Sequence, residues 1–452
     1  MTVRDMLMVP GGVFDLLQKE VGVKIVLVVP RSLYKKFEEF FAGISLSEQL
    51  VIEQIDNFRY GKLSQQVLNF FVKYLVLTDT MKLLAQEGVR TDTPPAGGRT
   101  YLYALKQGIF QVFGRSKWLK NVLVPKLFLW VTRERPYRYL FDRHHPDLIF
   151  IPDVKPPFGL LFLAECRIRG ITSVQMPGNW DHFKYYFPLQ SDYLLTTNEP
   201  LHEEAIGYEN YPIDRVTTVG FPQFDYFVRS DTHISREAFL KNIGFNPGDK
   251  IVLFVSEGVY SLDGGDIADM ILRGVESGNL PKETRVLLRP YPPYPGTLGE
   301  EQKYSKFEKH PLVRFAGLNS WSTLERFRDF IQLLYHADVV VSTYSTVGIE
   351  ALVFDKPSIN IGFDGYHTRL RHQSVTRFTN LSHFQHVTRA GGIKTVTTAE
   401  ELLALLKSYF ANPSYDWATR AKTRDRMCYR LDGKASERIV SNLINHMHRA
   451  KS

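Results

Sequence analysis

The sequence predicts an α/β protein made of two doubly wound, Rossmann-like domains facing a cleft. Three observations carry this expectation. In both halves, short apolar β-branched runs alternate with longer helix-patterned segments, the pattern of parallel strands joined by helical crossovers. The alternation breaks between Phe221 and Gly248, where Phe221-Pro222, a polar stretch and Asn246-Pro247-Gly248-Asp249 supply turn chemistry, and then restarts. A chain of 452 residues with 44% hydrophobic content also exceeds one ordinary domain and suffices for two cores. The expected domains are residues 1–225, including a basic helical segment over 90–143, and residues 249–420, followed by a closing helical segment over 421–452.

In the first half, strands are expected at Lys24–Val29, Val51–Ile55, Leu148–Ile151, Ile171–Val174, Tyr193–Thr196 and Val216–Val219. Helices are expected at Gly12–Lys19, Leu33–Phe41, Ser64–Val76 and Gly159–Arg169. A strand ahead of the first helix has only Asp5–Pro10 to draw on; either that run is the strand or the domain lacks one. In the second half, strands are expected at Ile251–Val255, Arg285–Leu288, Val313–Ala316, Val339–Ser342 and Ser358–Ile361. The helices are Asp266–Ser277, Leu324–Tyr335, Ala399–Ala411 and Ala435–Ala450.

The densest chemistry lies at Ser342-Thr343-Tyr344-Ser345-Thr346, where the apolar run Val339–Val341 turns into a helix. Hydroxyls at a helix start offer capping oxygens, and the unpaired N–H groups of a first helical turn hold a diphosphate without a metal. Glu350, one turn on, is placed to reach a ribose hydroxyl. Arg289 follows another strand and carries the planar fork suited to phosphate oxygens. Glu257 and Gly258 end the first strand of this half and are expected at the same strand-end surface. In the first half, Asn179, Trp180, Asp181 and His182 follow a strand, and Asp181 or His182 is a candidate base toward an acceptor hydroxyl. His144-His145 and the loop Asp263-Gly264-Gly265-Asp266 lack metal-ligand spacing, so no metal or cofactor is expected.

Net charge is +8 and uneven: Arg90 to Arg143 holds eleven Lys and Arg against three acids, interleaved with aromatics such as Trp118 and Trp130. Such a segment suits an anionic bilayer surface or a nucleic-acid groove, or is a solvated basic face over ordinary core aromatics. Lys117, Lys120 and Lys126 are its expected surface cations. Two distant cysteines, Cys166 and Cys428, give no disulfide framework, and neither a signal peptide nor a spanning apolar run is evident. The expected place is the cytoplasm, with contact to the inner face of the membrane.

An ordered set of motifs now carries a resemblance. These are Asn179-Trp180-Asp181, Val219-Gly220-Phe221-Pro222-Gln223-Phe224-Asp225, Leu288-Arg289-Pro290-Tyr291-Pro292, Ser342–Thr346 with Glu350, Asp355-Lys356-Pro357, and Asp432-Gly433-Lys434-Ala435-Ser436-Glu437-Arg438. Together they resemble the GT-B glycosyltransferase superfamily, in its bacterial surface-polysaccharide and teichoic-acid branch, with the CDP-glycerol glycerophosphotransferase-like pattern nearest. The resemblance implies a second domain that binds a nucleotide-sugar donor through Arg289, Ser342–Thr346 and Glu350. It implies a first domain that presents a glycan or lipid-linked acceptor and the base Asp181, and a last helix that packs back toward the first domain. One departure is Tyr291, where the family's phosphate motif often has histidine.

The leading expectation is therefore a metal-independent transferase moving a sugar to an acceptor hydroxyl in surface-polysaccharide synthesis. A glycerophosphotransferase or a UDP-N-acetylglucosamine 2-epimerase-like enzyme shares the fold. The expectation from a different class is a non-catalytic nucleic-acid or membrane binding module, with nucleic acid the less favoured partner.

Overall fold

In the computed structural model, the structure describes residues 6–34, 49–88, 90–91, 101–153, 158–180, 183, 186–291, 300–316 and 324–451. The chain divides into two compact units: Met1–Met81 with Leu102–Val228 and Cys428–Ser452, and Lys82–Tyr101 with Arg229–Met427.

The first unit holds two parallel sheets. One pairs β1 (Ile25–Pro30) with β2 (Leu50–Ile55). The other runs in chain order through β3 (Leu148–Ile151), β4 (Thr172–Gln175), β5 (Tyr193–Thr196) and β6 (Val216–Thr218). Residues 6–8 are helical, so the Asp5–Pro10 run does not supply a leading strand over its described part. Of the helix expected at Leu33–Phe41, residues 31–34 are helical and 35–41 lie outside the described residues.

The C-terminal helix Ala435–Lys451 belongs to this unit. It buries Ile439, Val440 and Leu443 among Val174, Met176, Leu195 and Val219. Each such side chain contributes about 1.5–3 kcal/mol when fully buried, so the helix is part of the core.

The second unit contains one six-stranded parallel sheet. Its strands are β7 (Lys250–Val255), β8 (Thr284–Arg289), β9 (Val313–Phe315), β10 (Val339–Ser342), β11 (Ser358–Ile361) and β12 (Ile393–Val396). The order across the sheet is β12-β11-β10-β7-β8-β9, which is the doubly wound nucleotide-binding order with its reversal between β7 and β10. Both faces are covered. Val252 and Phe254 join Val339, Val341 and Ile359 in one core cluster, while the alternating Ile251, Leu253 and Val340 are equally buried. Strand β12 was not expected from sequence. It is a four-residue edge strand whose Lys394 and Thr395 are partly exposed, so no apolar run marks it.

Candidate functional site

The strand reversal marks the candidate ligand site, because in open α/β sheets the crevice lies beyond the carboxyl ends of the strands that flank it. Val255 of β7 pairs with Ser342 of β10 and with Arg289 of β8. The ends of these strands and the segments that follow them are therefore neighbours, and they contain every donor-site residue expected from sequence.

Ser342, Thr343, Tyr344 and Ser345 are buried, and Thr346 is partly exposed. Tyr344 takes a left-handed backbone with φ of 48°, a conformation that tyrosine adopts only when surroundings impose it. Those surroundings are visible: Asn360, on β11, accepts from the Tyr344 N–H, and the Tyr344 hydroxyl meets Thr379 at 3.0 Å. The turn is thus fixed by the neighbouring strand.

The helix start differs from expectation in one respect. The helix Val347–Val353 has seven residues, and its cap Thr346 makes no side-chain capping bond. Ser345 Oγ instead accepts the Val347 N–H at 3.3 Å. So short a helix has a modest dipole, and the side chains around it have to supply most of the site's electrostatics.

Those side chains form a chain of contacts. The Ser345 hydroxyl is close enough to the Glu257 carboxyl to favour its charged form. Burial pushes Glu257 up to about 8; Glu300 adds to the rise, while Ser345, Arg289 and Lys303 oppose it. Arg289 is 8% exposed, with its guanidinium 4.8 Å from the Phe330 ring centroid. Burial lowers its pKa, and the nearby carboxylates of Glu350 and Glu257 oppose the shift. Glu350 itself is 2% exposed. Ser345, Glu257, Arg289 and Glu350 are therefore brought together, with two carboxyl groups beside one guanidinium.

A second network was not foreseen. Ser256 Oγ donates to Glu300 Oε1 at 2.7 Å and accepts from the Tyr304 hydroxyl at 2.7 Å. The other Glu300 oxygen takes the Tyr291 N–H, and Lys303 Nζ reaches Glu300 at 2.9 Å and the Ser261 carbonyl at 2.5 Å. This network ties together the segments after β7 and β8. Gly258 has φ of 59°, and a Cβ there would stand 3.0 Å from the Tyr291 ring. Tyr291, in the place where the resembled motif often carries histidine, packs against that glycine.

In the first unit, Asn179 Oδ1 accepts the Trp180 N–H at 2.9 Å, and Trp180 is 4% exposed, so its indole is a core group. Asp181 and His182 lie outside the described residues. His144 Nε2 pairs with Glu53 at 2.7 Å. Asp263 is held by Arg369 and Asp266 accepts the Tyr366 N–H, which leaves that loop a turn before a helix. Among the described residues, no group of three or more His, Cys, Asp or Glu is placed to share a metal ion. Cys166 and Cys428 are buried and are not joined in a disulfide. No helix among the described residues is long and apolar enough to cross a membrane.

Comparison with known proteins now adds two findings. Residues 307–445 match the profile of the CDP-Glycerol:Poly(glycerophosphate) glycerophosphotransferase family. Among solved structures, a Listeria monocytogenes protein assigned as a UDP-N-acetylglucosamine 2-epimerase aligns over 99% of this chain and 95% of its own, with TM-score 0.54 and 13% identity. The S. aureus MnaA–UDP complex aligns over 98% and 95%, with TM-score 0.54 and 10% identity. The UDP-GlcNAc 2-epimerase of Methanocaldococcus jannaschii aligns over 94% and 100%, with TM-score 0.50 and 12% identity. No curated protein matches the chain in sequence. At these identities the structures establish the fold alone: two Rossmann-like domains of GT-B type. The family match covers residues 307–445, so that part of the chain is similar to the glycerophosphotransferase family, and the chain is an enzyme of the transferase kind.

Proposed function

We propose that this transferase takes a nucleotide-sugar donor at the β7/β10 strand ends and moves the sugar to a hydroxyl of a glycan or lipid-linked acceptor. The observation that carries the reading is the convergence of Ser345, Glu257, Arg289 and Glu350 at the reversal point of a sheet with nucleotide-binding order. In this reading the acceptor oxygen attacks the anomeric carbon and its proton passes to Asp181 or His182. The bond from that carbon to the diphosphate oxygen breaks, and the nucleoside diphosphate departs with the electron pair. Arg289 and the hydroxyls of Ser342–Thr346 stabilise the charge that develops there, in place of a divalent cation. Glu350 serves the ribose, and its burial beside Arg289 adds that it also orients the guanidinium. Asn179 lies toward the acceptor. The reaction belongs at the inner face of a membrane, where lipid-linked acceptors are presented.

The family match over residues 307–445 favours a second reading on the same site. A CDP-glycerol donor would be attacked at the β-phosphorus, and cytidine monophosphate would leave. The test is product analysis with nucleotide-sugar and CDP-glycerol donors. Release of a nucleoside diphosphate with a glycosylated acceptor supports the first reading, and cytidine monophosphate with a glycerophosphate product supports the second. Failure of the chain to bind any pyrimidine or purine nucleoside diphosphate by thermal shift removes both.

A further inference from the structure

The helical stretch from Leu102 to Arg133 buries Leu119, Val124 and Phe128 in the core, yet it also buries two lysines and exposes several large apolar side chains. Lys106 and Lys120 are 4% and 6% exposed, whereas Val112, Trp118 and Trp130 are 69%, 63% and 61% exposed. The inward lysines are accounted for. Lys120 Nζ donates to the Tyr208 carbonyl at 3.4 Å and lies 5.8 Å from the Tyr186 ring centroid, while the Tyr186 hydroxyl donates to the Lys120 carbonyl. Buried Glu209 is close enough to oppose the fall in lysine pKa that burial causes. Lys106 lies 5.5 Å from the Tyr74 ring centroid.

The outward apolar groups follow helical spacing. Leu105 and Val112 are seven residues apart on the helix Tyr103–Phe113. Trp118 and Val122 are four apart, and Leu127 and Trp130 three apart on the helix Val124–Val131. A five-residue π-turn, Leu119–Leu123, carries the outward Val122 together with the buried Lys120. An exposed tryptophan pair on one short segment is far from the scattered single apolar residues that a soluble surface normally carries.

Charge selects the partner. From Tyr101 to Arg133 the sequence contains no Asp or Glu, and its exposed cations are Arg115, Lys117, Lys126 and Arg133. The Arg133 guanidinium lies 5.9 Å from the Trp130 ring centroid, so cation and aromatic share one location. Tryptophan beside lysine and arginine, with no acid from Tyr101 to Arg133, is the composition of a helix lying at the headgroup level of an anionic bilayer. We propose that this stretch is an interfacial docking surface for anionic lipid. Trp118 and Trp130 enter the acyl boundary, and Lys117, Lys126 and Arg133 meet the headgroups. The inference stands on this stretch alone and does not depend on which group the enzyme transfers.

The test is co-sedimentation of the full chain with vesicles of phosphatidylcholine alone and of phosphatidylcholine with roughly a third phosphatidylglycerol, the anionic-leaflet condition. Binding is expected to the anionic vesicles and to weaken with salt. Lys117→Glu with Lys126→Glu should lower the partition coefficient at least ~tenfold. Trp118→Ser with Trp130→Ser should lower it comparably and remove the salt-resistant part. All four positions are exposed, so circular dichroism should be unchanged. Absence of binding to anionic vesicles overturns the proposal, as does binding that both variants leave intact. Two other outcomes also overturn it: a dimer in sedimentation that the tryptophan variant dissociates, which makes a second copy the cover, or salt-sensitive RNA binding without vesicle binding.

Discussion

Asp225 accepts hydrogen bonds from the backbone N–H groups of Ala435 at 2.9 Å and Ser436 at 2.7 Å. Two motifs 210 residues apart thus meet, one after β6 and one at the start of the last helix. Arg438 reinforces the junction by donating to the Val219 carbonyl at 2.7 Å and pairing with Asp432. Gly220, at φ of 91°, leaves room for this, since a Cβ there would stand 3.2 Å from the Arg438 guanidinium. Asp225→Ala removes the acceptor for two helix-start donors and should cost about 2 kcal/mol. Gly220→Ala adds backbone strain to the contact and should cost at least ~1 kcal/mol. Native-state hydrogen exchange should show the loss first in the helix Ala435–Lys451.

In the proposed donor site, Arg289 is the cation expected to meet the diphosphate. Arg289→Lys keeps a charge and loses the fork. Nucleotide affinity should fall by ~10–100-fold, the worth of one charge-assisted pair. Arg289→Gln should abolish the nucleotide-induced rise in melting temperature. It also leaves Glu350 and Glu257 without their nearby guanidinium, so its unliganded melting temperature should drop as well. A nucleotide shift that survives Arg289→Gln would move the diphosphate site elsewhere.

Glu257 gives the site a pH dependence with a definite sign. Its carboxyl is pushed up from 4.5 to about 8, chiefly by burial. A raised carboxyl pKa means that the folded chain holds a proton the unfolded chain has released between those values. The stabilisation is full below 4.5 and is lost as pH rises through 8. The same proton governs the ligand. Below the folded pKa, Glu257 is a neutral acid able to donate to a phosphate oxygen; above it, a carboxylate faces the diphosphate. Nucleotide-sugar affinity should be level up to about pH 7.5 and then fall, approaching tenfold per pH unit well above the transition. Glu257→Gln should flatten that profile. Calorimetric titration across this range checks it, and a flat wild-type profile would refute it while leaving the donor site in place.

What was legible in the sequence follows from burial. Strand β10 was readable to its ends because Val339, Val340 and Val341 are buried on both faces, so no polar residue interrupts the run. Strand β12 was not readable, because an edge position lets Lys394 and Thr395 remain partly exposed. Strand-end positions and motif order put Arg289, Ser345 and Glu350 on one expected surface, and the ends of β7, β8 and β10 are neighbours. Nothing local revealed Glu300, whose bonds to Ser256 and Tyr291 span 44 and 9 residues and obey no helical or strand period. The expectation of surface lysines at 117, 120 and 126 fails at Lys120 for a similar reason. A count of charges does not say which face each occupies, and Lys120 turns inward to the Tyr208 carbonyl.

Gly258 and Tyr291 offer the sharpest test of how the loop after β7 is braced. Gly258 has a left-handed backbone, and an added methyl would stand 3.0 to 3.2 Å from three Tyr291 side-chain atoms. Gly258→Ala therefore combines two penalties, strain at positive φ of about 1 kcal/mol and displacement of the tyrosine ring. Moving that ring pulls on the Tyr291 N–H bond to Glu300, and through Glu300 on Ser256 beside Glu257. Gly258→Ala should thus weaken both stability and donor affinity. Tyr291→Ala removes the ring and leaves room for the methyl. The double variant should be less destabilised than the sum of the singles, with a coupling of roughly 0.5–2 kcal/mol as for residues in direct contact. Additive effects in that cycle would mean that the ring yields freely and that Tyr291 does not brace the loop carrying Glu257.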